Sequence, residues 1–187
     1  MKYFFFPILL AIVILTSCKK DSNAIVHHEN PNNELKATVS VIGETSKLHH
    51  AKGDHTIFNR RIDPNGDSVI TVSGSIGEYG TPSSRKIEIW LINIQSPGTY
   101  NLNVDNSINP RQKSWCVYTV GDIFFSTIFE MYFSDRGTPP GSVSIDLLTA
   151  TEIRGSFTAN CSNTQLSSTG TNYAQITNGS FKGTFLK

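Results

Sequence analysis

From Glu34 onward, apolar and polar residues alternate with a period of two, the signature of strands that bury one face. Ala37, Val39 and Val41 set the first strand. Thr56–Ile62 is the next candidate. It passes through the tight-turn sequence Asp63-Pro64-Asn65-Gly66-Asp67 into Ser68–Ile76, where Ile70, Val72 and Ile76 share a face. Residues 85–94 put Ile87, Ile89 and Leu91 on one side and Glu88, Trp90 and Ile92 on the other. Ser96-Pro97-Gly98 turns the chain into residues 99–102, and residues 112–120 form the next strand. In residues 123–134, Ile123, Phe125, Phe129, Met131 and Phe133 face one way, and Phe124, Ile128 and Tyr132 the other. Apolar residues on both faces predict a long central strand there.

Gly137-Thr138-Pro139-Pro140-Gly141 ends that strand. Val143, Ile145 and Leu147 are then expected to pair, by hairpin, with residues 153–161, where Phe157 is the core anchor. The last strand, residues 174–186, changes parity: Ile176 lies on one parity, Phe181 and Phe185 on the other. A parity change needs one extra residue, and Asn178-Gly179 is where a β-bulge is expected. Many short strands joined by Gly, Pro and Asn turns, with no helical stripe, give an all-β fold. An antiparallel β-sandwich and a barrel-like sheet both satisfy the pattern.

The N-terminus follows another rule. After Lys2, residues 3–15 are almost uniformly apolar, with Pro7 as an interruption. A spanning helix needs about 18 apolar residues or more. A secretory h-region needs about 7–15, followed by small residues. Leu15-Thr16-Ser17-Cys18 resembles the lipobox of bacterial lipoprotein signals. The cysteine is a chemical requirement there, because its thiolate takes a diacylglycerol as a thioether before the signal is cut. The expected organisation is a signal peptide over residues 1–17, lipidated Cys18 and a flexible tether over 18–33, and an all-β domain over 34–187. Lys19 stands where enteric inner-membrane retention signals carry Asp, which points to the outer membrane.

Removal of the signal leaves 170 residues, enough for one domain with a sizeable core. It also removes one lysine, leaving 15 basic and 15 acidic residues. A neutral chain has no electrostatic case for nucleic acid or an anionic lipid surface, so the membrane is reached through the anchor on Cys18. Cys116 and Cys161 remain. In an oxidising envelope they can pair, closing a long loop worth about 2–4 kcal/mol. The alternative is two buried free thiols packed as small hydrophobes.

Gly141-Ser142-Val143-Ser144-Ile145-Asp146, Ile153-Arg154-Gly155-Ser156-Phe157 and Ile176-Thr177-Asn178-Gly179-Ser180-Phe181 resemble a family of small uncharacterised lipoproteins from Bacteroidota. Its members pair a lipobox with an I-x-G-x-F strand and a closing T-N-G-x-F strand. Gly98-Thr99-Tyr100-Asn101-Leu102 and the strand before it also fit, so the likeness runs from about Lys86 to the end. The resemblance implies an all-β domain of unknown function, and it brings no catalytic residues.

Candidate chemistry is sparse. His49, His50 and His55 lie close together beside Asp54, but in an extended strand His49 and His50 point to opposite faces, and no HExxH motif supports zinc. Solvated loop histidines are the expectation, with His27 and His28 in the tether. The turn 63–67 spaces oxygen side chains as calcium loops do, yet lacks the glycine at the sixth position and a closing glutamate. A hairpin turn accounts for it. No G-x-S-x-G elbow is present, and all five histidines precede residue 56. Glu88 and Glu130 on neighbouring strands would give a carboxylate pair of glycosidase type. Trp90, Trp115, Tyr118 and Tyr132 are expected opposite the main core, as a ligand platform or a second buried layer. The reading is a non-catalytic binding or structural module for a glycan or envelope partner, without cofactor or metal. Its rivals are a barrel carrier for a small apolar ligand and, further off, a glycosidase-type enzyme.

Overall fold

The computed structural model describes residues 30–78, 81, 83–103, 113–121, 130–134, 139–163 and 172–186. The signal peptide, Cys18, most of the tether with His27 and His28, residues 123–129 of the expected long strand and the segment 164–171 lie outside the described residues. Eleven strands are seen: β1 (Glu34–Val41), β2 (Lys47–Lys52), β3 (Thr56–Ile62), β4 (Ser68–Ile76), β5 (Arg85–Ile92), β6 (Gly98–Asn101), β7 (Trp115–Val120), β8 (Glu130–Phe133), β9 (Gly141–Leu148), β10 (Glu152–Asn163) and β11 (Asn172–Thr184). All their pairings are antiparallel.

Nine strands follow the order β2-β1-β11-β10-β8-β7-β5-β4-β3 in a nearly closed, barrel-like sheet. The sheet forks at β10. Ile153 to Ala159 pair with β9, which in turn pairs with β6, while Ser162 pairs with Phe133 of β8. Contacts across the seam draw the two ends of the sheet together. His49 Nε2 donates to the Gly74 carbonyl at 2.9 Å, and the Leu186 N–H donates to the Phe58 carbonyl at 2.9 Å. Gly74 permits the approach, since a Cβ there would stand 2.9 Å from Ala51 Cβ and 3.0 Å from Leu35 Cβ.

The interior is the apolar parity of each strand: Leu35, Ala37 and Val39; Ile70 and Val72; Ile87, Ile89 and Leu91; Ile153, Phe157 and Ala159; Ile176 and Phe181. Large rings sit against glycines. A Cβ on Gly155 would lie 2.8 Å from the Phe181 ring, one on Gly179 2.5 Å from Phe157, and one on Gly183 2.3 Å from Phe58. The glycines of the I-x-G-x-F and T-N-G-x-F segments are thus the holes into which the phenylalanines of neighbouring strands fit.

The bulge in β11 lies at the expected place. Lys36 pairs with Ser180 but Thr38 with Thr177, and Phe157 pairs with Gly179 but Ala159 with Ile176. Asn178 takes the left-handed conformation, φ 51°. The extra residue lets Ile176 and Phe181 both point inward despite their opposite parity.

Three expectations change. β2 was not anticipated, and His49 on it is buried rather than solvated. The strand expected over 85–94 ends at Ile92, because Asn93 turns into positive φ and its side chain accepts the Ser68 N–H at 2.9 Å. The last tether residues are held: Asn33 is buried, its side chain accepts the Thr184 N–H at 3.0 Å, and its carbonyl accepts the Gly53 N–H at 3.0 Å.

Candidate functional site

Strands β3, β4, β5, β7 and β8 form one wall. On its outer face Trp90 and Trp115 are directly paired across β5 and β7, with ring centroids 5.8 Å apart and planes tilted by 42°. Trp115 stacks on Phe133 of β8 at 5.6 Å, with the planes 1° from parallel. At the other end the Arg61 guanidinium lies 5.5 Å from the Trp90 ring centroid. The strip Arg61–Trp90–Trp115–Phe133 therefore runs across the strands of the wall. Its three rings are half-buried, and Val69, Ile92 and Val117 on the same face are buried. The outer face of this wall is a second apolar layer with aromatic rings partly open to solvent. Lys86 and Glu88, an ion pair at 3.1 Å, lie on the same face beside Trp90.

The other two aromatic candidates belong to the core. Tyr118 and Tyr132 are paired directly across β7 and β8, 3% and 1% exposed, with ring centroids 6.1 Å apart. The Tyr132 hydroxyl donates to the Glu130 carboxylate. Burial, and then that hydrogen bond, hold the Tyr132 hydroxyl well above the usual phenol range. Burial also raises Tyr118, with Arg85 opposing. The expected four-residue face is thus two pairs on opposite faces. Trp115 and Tyr118 are three residues apart on one strand, and odd spacing puts them on opposite sides. Arg61 and Phe133, which complete the strip, share the outward parity of Asn59 and Met131. That parity was the available signal for them.

Glu88 and Glu130 are also separated. Glu88 shares the outward parity of Trp90, whereas Glu130 shares the inward parity of Tyr132 and is engaged by its hydroxyl. They form no cleft pair of the kind that glycoside hydrolysis uses. His49 keeps Nε2–H on the Gly74 carbonyl, while its buried Nδ1 has no hydrogen-bond partner. Burial lowers its pKa to about 4. His50, on the opposite face, sits 2.6 Å from Glu34. No group of three or more metal-ligating side chains is gathered among the described residues. In the turn 63–67 the Asp63 carboxylate accepts the N–H groups of Asn65 and Asp67, both at 2.9 Å, which makes it a hairpin turn.

Cys116 and Cys161 are free thiols, both fully buried. The Cys161 thiol lies 3.8 Å from the Cys116 carbonyl oxygen. The neighbouring Cys161 thiol, together with burial, pushes the Cys116 thiol well above its usual range. Comparison with known proteins finds no matching family model, no matching curated protein and no matching solved structure.

Proposed function

We propose that the protein is a lipid-anchored, non-catalytic binding module of the bacterial outer membrane that takes a glycan on its outer aromatic strip. The observation that carries this reading is the row Arg61–Trp90–Trp115–Phe133 on the outer face of one wall. Flat aromatic faces stack on the apolar faces of sugar rings, and a bordering ion pair such as Lys86–Glu88 offers donors and acceptors to ring hydroxyls. The address rests on the lipobox-like Leu15-Thr16-Ser17-Cys18 after a short apolar run and on the resemblance to Bacteroidota lipoproteins. The carrier reading draws no support from the wall around Gly155, Gly179 and Gly183, where phenylalanine rings fill the space.

The test is a glycan array probed with the protein and with Trp90→Ala. Binding by the parent and a loss of tenfold or more in the variant support the strip as the site. Equal binding by both overturns it. Absence of glycan binding combined with capture of an envelope protein through the same residues would replace the ligand class. Palmitate labelling of the parent and its loss in Cys18→Ala checks the anchor.

A further inference from the structure

The thiol pair stands where the sheet forks at β10. β10 leaves β9 after Ala159 and meets β8 at Ser162↔Phe133. Beyond Phe133 the wall between β7 and β10 is filled by Ser134, whose hydroxyl accepts the Cys116 N–H at 2.8 Å. β7 and β10 come close enough to place Cα pairs within 8 Å. Cys116 and Cys161 both project inward there, 0% exposed, and the Cys161 sulfur reaches the Cys116 carbonyl. We propose that Cys116 and Cys161 close to a disulfide that staples β7 to β10 at the fork of the sheet. The inference goes beyond the binding function, and only the supply of oxidant rests on the envelope address.

The chemistry is exchange with an external disulfide, either a small molecule or an envelope oxidase of the dithiol–disulfide class. One cysteine thiolate attacks that disulfide, forming a mixed disulfide and expelling one thiolate. The second cysteine thiolate attacks the mixed disulfide, forms the Cys116–Cys161 bond and expels the other. The protein loses two electrons and two protons, and the external disulfide becomes two thiols. Both sulfurs are sealed from solvent, so the bond forms during folding, before the barrel closes. The bridge spans a sequence separation of 45 residues. Cys116 follows Trp115 on β7, so the bridge would tie down from the inner face the wall whose outer face carries the aromatic strip.

The experiment counts thiols in protein purified from membranes in detergent and denatured with excess maleimide, with and without prior reductant. The expected result is two fewer labelled thiols without reductant than with it, all in monomer. The total after reduction reports the anchor separately: two thiols if Cys18 carries lipid, three if it does not. A second arm supplies the oxidant regardless of compartment, by refolding the reduced, urea-unfolded protein in reduced and oxidised glutathione. A bridged monomer is expected. Glutathione adducts or disulfide-linked dimers in that arm overturn the proposal. A bridge in the refolded sample but not in the membrane sample supports the bridge and counts against the envelope address. The thermal midpoint of the oxidised form should exceed that of the reduced form by roughly 5–15 °C. Equal midpoints overturn the staple.

Discussion

Strands β10 and β11 pair from Glu152↔Thr184 to Asn163↔Asn172, and β1 continues that wall from Glu34↔Lys182 to Val41↔Ala174. Across the fork, among the described residues, β8 pairs with β7 from Val117↔Phe133 to Val120↔Glu130 and with β10 at Ser162↔Phe133. The outer faces differ as much as the ladders. On the wall of β10, β11 and β1 Glu34 is ringed by His50 at 2.6 Å, Lys182 at 3.2 Å and Lys52 at 3.9 Å. These surround the carboxylate and hold Glu34 below the usual carboxylate range, His50 first among them. On the wall of β3, β4, β5, β7 and β8 the outer face is Trp90, Trp115 and Phe133 over buried Val69, Ile92 and Val117. The first wall is held by backbone pairing on either side of the bulge in β11 and by interlocked glycines, and its outside needs only to be wet. The second carries apolar side chains on both of its faces. The apolar groups left on that outer face are the ones the proposed glycan would meet.

The contrast breaks most sharply in the core where the two walls meet, at Phe58 of β3 and Gly183 of β11. Phe58→Ala empties a fully buried ring site against Gly183 and should lower stability by about 3–5 kcal/mol in urea unfolding. Gly183→Ala overfills the same site and should cost about 1–3 kcal/mol, with the double variant losing less than the sum of the singles. A simple sum would show that the ring and the hole do not depend on each other. The seam comes next. His49 has a folded pKa of about 4 against an ordinary 6.5, so the unfolded chain takes up the proton first. Its contribution is complete above pH 6.5 and is lost as pH falls toward 4. Unfolding midpoints should decline through that window, and His49→Leu should flatten the decline. An unchanged slope in the variant would assign the acid sensitivity elsewhere. Smallest is the outer strip: Trp90→Ala removes a half-buried ring and should shift stability by about 1 kcal/mol or less, far below Phe58→Ala. A loss as large as that of Phe58→Ala would make the strip a part of the core.

Where hydropathy and side-chain direction agree, the sequence reads directly. β3, β4, the β9–β10 hairpin and the inward set Ile87, Ile89 and Leu91 follow from period two alone. The bulge at Asn178-Gly179 was legible for the same reason, because Ile176 and Phe181 cannot both face inward without it. β2 was illegible because its pattern is inverted: Leu48 is exposed while His49 and Ala51 face the interior. A polar residue enters the core there because Gly74 leaves a backbone carbonyl open to it. The aromatic candidates were recognisable by type, and the odd spacing of Trp115 and Tyr118 already separates their sides; what local pattern does not encode is the pairing of Tyr118 with Tyr132 across strands. The meeting of Cys116 and Cys161 depends on the fork at β10, a tertiary feature that no local pattern encodes.

The bulge in β11 also determines where the chain tolerates a change of length. Removing one residue from the turn at 63–67 shortens a hairpin tip. Removing Asn178 would instead reverse the orientation of one half of the final strand. If Phe181 kept its place, Ala174 and Ile176 would turn outward and Tyr173 and Gln175 inward, against the neighbouring strands on both sides. This stretch thus behaves as a fixed ruler, and a lineage of such chains would diverge by substitution there long before it diverged by insertion or deletion.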